Sequence, residues 1–211
     1  MKVGVLGSGD VAKVLALGFA KHGHDVMVGS REPSKLASWQ QEKGQSIALG
    51  DFAETAAFGE VVVLAVKGSA AESAVSLAGD LTGKVMIDAT NPIDNKPPVN
   101  GILVYFTGPN ESLMERLQAQ APGAHFVKAF SSVGNGFFVN PPFETRPTMF
   151  ICGNSDDAKA TVRHILDQFG WDAEDIGKVE GARAIEPLCQ LWCAPGFQRN
   201  QWTHAFKLLK L

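Results

Sequence analysis

The sequence predicts an α/β protein: a doubly wound, mostly parallel sheet with a small, mainly helical lobe at its C-terminal end. Three observations lead there. Short apolar runs alternate with helical patterns over the first 93 residues, a βαβ rhythm that right-handed crossovers turn into a parallel sheet. The run Val61-Val62-Val63-Leu64-Ala65-Val66 is apolar without alternation, as in a strand covered on both faces. The segment KVGVLGSGDVA at 2–12 joins an apolar run to a helical pattern through closely spaced glycines.

Taken in order, strands are expected near 2–7, 25–30, 46–49, 61–66 and 84–89, with helices near 10–22, 33–43, 51–58 and 69–80. Residues 91–110 turn to Asn, Pro and Gly and read as a long loop. A helix is expected over 111–120 and a strand over 126–130. The following SSVGNGFFVNPPFETRP is too rich in turn formers for a regular element. Thr148 to Cys152 reads as a strand, Asp156 to Phe169 as an amphipathic helix, and Trp171 to Ile176 as a strand. The tail from Gly181 to Leu211 is expected to be mostly helical, interrupted at Pro195-Gly196. This divides the chain into a sheet domain over 1–145 and a lobe over 146–211 packed on it. There are no repeats and no flexible linker.

Composition narrows the function classes. The chain has 211 residues, 45% hydrophobic and 19% charged, enough for a sizeable core. A net charge of −3 with no basic run interleaved with aromatics speaks against nucleic acid. No stretch approaches the roughly 18 apolar residues of a membrane span, and Asp10 and the glycines break up any signal-peptide core. Three cysteines without framework spacing fit a reducing compartment. The expectation is a cytoplasmic protein with no membrane or nucleic-acid partner.

The glycine junction carries the first chemistry. A strand, a tight turn at Gly7-Ser8-Gly9 and a helix beginning at Asp10-Val11 aim unpaired backbone N–H groups at one point, where a pyrophosphate binds. Gly7 allows the turn, Gly9 keeps side chains away from the phosphate, and Ala12 is small enough for the helix to lie close on the strand. This is the arrangement of a Rossmann dinucleotide site. Asp10 sits awkwardly beside a pyrophosphate and suits the first helical turn, where the dipole favours an acid.

The second expected strand ends in Ser30 and Arg31, with Ser34 and Lys35 four positions on. NAD sites normally place a carboxylate here for the ribose hydroxyls. A hydroxyl, a guanidinium and an ammonium suit a 2′-phosphate instead, so NADP(H) is favoured over NAD. Glu32 is expected to point into solvent. The alternative is a solvated basic turn with Ser34 capping the next helix.

Ligands of open α/β sheets lie beyond the carboxyl ends of the strands. Those loops hold Val66-Lys67-Gly68-Ser69, Thr90-Asn91-Pro92 and Ala129-Phe130-Ser131-Ser132. Val66, Lys67, Pro92 and Ala129 are expected to line the cofactor. Asn91, Ser131 and Ser132 are candidates to position a carboxamide or a substrate carbonyl, although such turns also form without a ligand.

GSGDVA at 7–12, GSR at 29–31 with Lys35, DATNP at 88–92, VKAFSSV at 127–133, and the stretch from Arg183 through Glu186 to Phe206-Lys207-Leu208-Leu209 resemble the NADPH-linked oxidoreductases that reduce the deazaflavin coenzyme F420. The likeness covers essentially the whole chain. It implies a Rossmann domain with a small C-terminal lobe and two cofactors stacked in the cleft. Cytoplasmic domains of membrane metalloreductases use a similar fold to pass hydride from NADPH to flavin. Two departures stand out. Relatives tend to carry Asn or His at Ser131 or Ser132, beside the nicotinamide, and a neutral residue at Asp10.

Hydride transfer between two bound rings needs alignment more than an acid or base, and no His–Asp or Lys–Glu constellation is evident. His22, His24, His125 and His164 read as surface residues; His204 is the one positioning candidate among them. Phe126 and Phe130 read as core, while Phe137 and Phe138, set among glycines and prolines, are pocket candidates. Trp192, Phe197 and Trp202 are candidates to close the cleft or form a homodimer interface. Cys189 and Cys193 lie one helical turn apart and read as buried thiols, with no metal. The expected activity is an NADPH-dependent oxidoreductase with a flavin-like or deazaflavin acceptor. A reductase of a small imine or keto acid and a non-catalytic NADPH sensor are the alternatives.

Overall fold

A computed structural model describes residues 1–211. Eight strands form one sheet in the order β3-β2-β1-β4-β5-β6-β7-β8. The strands are β1 (Lys2–Leu6), β2 (Asp25–Gly29), β3 (Ala48–Gly50), β4 (Val61–Leu64), β5 (Val85–Asp88), β6 (His125–Lys128), β7 (Thr148–Gly153) and β8 (Asp172–Asp175). The first six are parallel, β7 runs antiparallel to β6, and β8 is parallel to β7. The order reverses between β1 and β4, which places the ligand crevice at their carboxyl ends. Strand β6 pairs with β7 through Val127–Gly153 and Lys128–Cys152, so the sheet runs on past residue 145.

Helices α1 (Asp10–Lys21), α2 (Ala37–Lys43), α3 (Phe52–Phe58), α4 (Ala71–Leu77), α5 (Leu113–Gln120) and α6 (Asp156–Gln168) cover the two faces. Alternate strand residues serve opposite layers. Val3, Val5, Val61, Val63 and Val127 pack with Leu15 and Phe19 of α1, while Leu6, Val62, Leu64 and Phe126 pack with Ala74, Leu113 and Leu117. Burial on both faces explains why these strands read as unbroken apolar runs. Local signals set the helix starts. The Asp51 carboxylate accepts the Glu54 N–H at 2.8 Å and Glu54 accepts the Asp51 N–H at 2.9 Å, a capping box at α3. Ser112 and Glu115 do the same at α5.

The C-terminal region holds α7 (Ala182–Ile185) and α8 (Pro187–Arg199). Two expectations fail here. Helix α8 runs straight through Pro195-Gly196. The missing N–H of Pro195 forfeits only the bond to Leu191, which is 59% exposed, so water can take that carbonyl. The helix ends instead at Asn200, left-handed with φ 54°. Residues 201–211 then form no helix or strand. The Thr148 N–H donates to the Phe206 carbonyl at 2.8 Å and the Leu208 N–H to the Thr148 hydroxyl at 3.1 Å, so unsatisfied groups of β7 capture the tail. No helix is long and apolar enough to cross a membrane.

Candidate functional site

Two clefts meet at the carboxyl end of β1. One, of about 400 Å³, is lined by Gly7, Ser8, Gly9, Ser30, Arg31, Glu32 and Lys35, by Ala70 just before α4, and by the face of α4 bearing Ser73, Ala74 and Leu77. The other, of about 540 Å³, is lined by Asp10, Val11, Gly68, Ser69, Thr90, Asn91, Ile93, Asp94, Asn95 and Asn135. Gly9, Ala65, Val66 and Lys67 belong to both. The result is one groove bent over the glycine turn, with arms on either side of the point where β1 and β4 part.

The turn is built as its residues require. Gly7 has φ 142°, and any β-carbon there would overlap the Ala65 carbonyl on β4's exit. The space in front of Gly9 is open. Helix α1 begins there with no side chain accepting from its first N–H groups, so those donors and the positive dipole end face the groove. Asp10 is the first helical residue.

In the first arm Arg31 and Lys67 make no ion pair, whereas Lys35 is held by Glu32 at 2.7 Å. Lys35's hydrogen bond and charge hold the Glu32 carboxyl below its usual value. Glu32 points into solvent, as expected, its side chain 61% exposed, and it meets Lys35 there because the 3-10 turn Pro33–Leu36 brings positions three apart together. Ser34 does not cap this turn. The Ser30 hydroxyl accepts the Glu32 N–H at 3.2 Å. Counting Arg31, Lys35, Lys67 and Glu32, this arm attracts anions.

The second arm is governed by residues below its floor. Lys128 is fully buried, and its ammonium donates to Asp88 at 2.9 Å, to the Thr90 carbonyl at 2.7 Å and to Glu186 at 2.9 Å. Burial pulls the ammonium's pKa down, but the Asp88 and Glu186 carboxylates more than reverse this and leave it raised. Asp88 accepts the Thr90 N–H at 2.9 Å and hydroxyl at 2.6 Å. Glu186 accepts the N–H groups of Leu113 and Met114 at 3.0 and 3.1 Å, where the N-terminus of α5 offsets the second negative charge. Above this network the Asn91 side-chain amide donates to the Ser131 carbonyl at 2.9 Å. The Asn91 Oδ1 and Ser131 Oγ are buried without partners, an acceptor and a hydroxyl left unsatisfied at the edge of the groove.

Of the residues expected from sequence, Gly7, Ser8, Gly9, Asp10, Val11, Ser30, Arg31, Lys35, Val66, Lys67 and Asn91 line the groove. Ser131 adjoins it through Asn91. Pro92, Ala129 and Ser132 are buried and none of them lines it. His204 stacks on Trp192 at 5.0 Å and binds the Trp192 carbonyl at 3.0 Å, away from the groove walls. Phe138 is core rather than pocket, 2% exposed and 5.2 Å from the Phe130 ring, because Trp171 ties its carbonyl down at 2.9 Å. Phe137 packs on Phe143. Sequence reasoning singles out neither Ala70 with Ser73, Ala74 and Leu77 of α4, nor Ile93, Asp94, Asn95 and Asn135. The first group was detectable, since a helix following Lys67 must start at the groove.

Residues 2–92 match a family model described as NADP oxidoreductase, coenzyme F420-dependent. A protein of Arthrobacter sp. FB24, provisionally named an F420-dependent NADP reductase, superposes over 100% of both chains with a TM-score of 0.92 and 30% identity. The F420-dependent NADP reductase of Methanothermobacter marburgensis is 29% identical, with 90% of each chain aligned. The metalloreductase STEAP3 of Rattus norvegicus is 32% identical over 89% of this chain. This chain spans little more than a third, 36%, of that longer relative.

Proposed function

The chain belongs to the family of coenzyme F420-dependent NADP oxidoreductases, and from that premise we propose that it moves a hydride between NADP(H) and a deazaflavin or flavin-like acceptor. The groove with an anion-attracting arm and an amide-ready arm, joined at the glycine turn, carries this reading. In it, Ser8, Gly9 and the first N–H groups of α1 hold the pyrophosphate. Ser30, Arg31 and Lys35 grip the 2′-phosphate, with Lys35 exchanging Glu32 for the ligand. Lys67 sits beside both arms and neutralises phosphate charge. Asn91 and Ser131 satisfy their orphaned oxygens on the carboxamide and so fix the plane of the ring. The reduced nicotinamide supplies the hydride.

The acceptor then occupies the open side of the second arm, past Ile93, Asn95 and Asn135. The one hydroxyl–carboxylate pair at this arm, Thr90 with Asp88, is buried beneath its floor, with Thr90 2% and Asp88 0% exposed, as suits a transfer governed by alignment. The reading places the protein in the cytoplasm as a homodimer, which sedimentation of the purified chain would check. Stopped-flow oxidation of NADPH with F420, with FMN and with a panel of imines and keto acids tests the acceptor. A deazaflavin- or flavin-dependent burst is expected. Turnover of the carbonyl or imine panel alone, or tight NADPH binding without any turnover, would replace this reading by a small-molecule reductase or a sensor respectively.

A further inference from the structure

We propose that Asp88 and Lys128 are positioning residues for hydride transfer: they lock Thr90, and through it Asn91, so that one face of the nicotinamide is presented to the acceptor. This rests on the function proposed above. The network is more elaborate than charge balance demands. A buried ammonium between two carboxylates is already neutralised, yet its third proton goes to the Thr90 carbonyl. Asp88 spends one oxygen on Lys128 and the other on both the N–H and the hydroxyl of Thr90. Every polar group of Thr90 is therefore tied to this one ion pair.

Asn91 inherits that order. Its carbonyl lies so close to Gly68 that a β-carbon there would overlap it, and it accepts the Ile93 N–H at 2.8 Å. Its side-chain amide is anchored on Ser131, three residues beyond Lys128. Between them Phe130 holds φ 60°, a conformation a bulky residue keeps only when its surroundings impose it. Its N–H lies 3.2 Å from the Met149 sulfur. Two groups of this rigid assembly are left without a partner, the Asn91 Oδ1 and the Ser131 hydroxyl. An acceptor so fixed discriminates the two orientations of a carboxamide, and hence the two faces of the ring.

Glu186 provides the contrast. It binds the same ammonium but touches Leu113 and Met114 rather than Thr90. Asp88→Asn offers one acceptor where two are needed, so either Lys128 or Thr90 loses its bond. Thr90→Val removes the hydroxyl without altering charge. In the free protein, amide exchange at residues 89–91 and 93 is expected to rise at least about tenfold in both variants, but not in Glu186→Gln. With NADPH deuterated on one or the other face of C4, wild type should transfer from a single face. Asp88→Asn and Thr90→Val should transfer from both, and Glu186→Gln from one despite its lower melting temperature.

Single-face transfer with wild-type exchange in Thr90→Val would overturn the proposal, as would face-mixing in Glu186→Gln in proportion to lost stability. If Asp88→Asn does not fold, Thr90→Val carries the test. If wild type transfers no hydride to any acceptor, the functional reading fails instead. Exchange in the free protein and the ring orientation of bound NADP, read from nuclear Overhauser contacts to the ribose, then still decide the positioning role.

Discussion

Arg31 and Lys35 stand four residues apart in the same arm of the groove but in different states. Arg31 is unpaired, while Lys35 is already engaged by Glu32. Arg31→Ala should therefore weaken NADPH by about 1–3 kcal/mol, the scale of lost bonds to a charged group, and NADH hardly at all; parallel titrations of the two nucleotides read this directly. Glu32→Gln should tighten NADPH, since Lys35 no longer has to exchange partners, and the gain should shrink as salt is added. Asp10→Asn should tighten NADPH too, because it removes a carboxylate that lines the groove beside the pyrophosphate turn. Ser30, Arg31 and Lys35 were legible in sequence because the tip of β2 is a fixed station of this fold. The hold of Glu32 on Lys35 was not, since spacing alone does not say whether a short turn winds as 3-10.

Helix α5 shows the same division among elements. Its capping residues Ser112 and Glu115 stand in the sequence, but Arg183 reaches Glu115 from 68 residues away, with its Nε at 2.9 Å. Ser112→Ala should cost about 1 kcal/mol in denaturant unfolding, the usual loss for a cap. Arg183's hydrogen bond holds the Glu115 carboxyl below its ordinary 4.5. A depressed carboxylate stabilises the fold above that value and loses its contribution as pH falls through the lower folded value. The stability difference between wild type and Glu115→Gln should thus be largest near neutrality and vanish in acid. Strand and helix order was readable almost throughout, because double-sided burial and caps are written locally. The tail was not: Pro195 spoke for a break, and only the free N–H and hydroxyl of Thr148 on β7 explain how residues 206 and 208 are held without a helix.

At the scale of the molecule, Lys128 binds the strands at the groove floor to the C-terminal helices, joining residues 40 and 58 positions apart. Asp88, Lys128 and Glu186 all lie in segments that carry the family resemblance, yet no spacing rule foretold that they would meet underground rather than face a ligand. Glu186→Ala should destabilise by roughly 3–5 kcal/mol, as when one partner of a buried ion pair is removed, seen as a lowered midpoint in urea. All of these expectations presuppose that the groove is a dinucleotide site with a dedicated phosphate arm. Calorimetric titration of the wild-type protein and Arg31→Ala with NADPH and NADH tests that most directly. NADPH should bind at least about tenfold tighter than NADH, a gap of some 1.4 kcal/mol, and Arg31→Ala should close the gap. Equal affinity for the two nucleotides in wild type, or no heat with either, would contradict it.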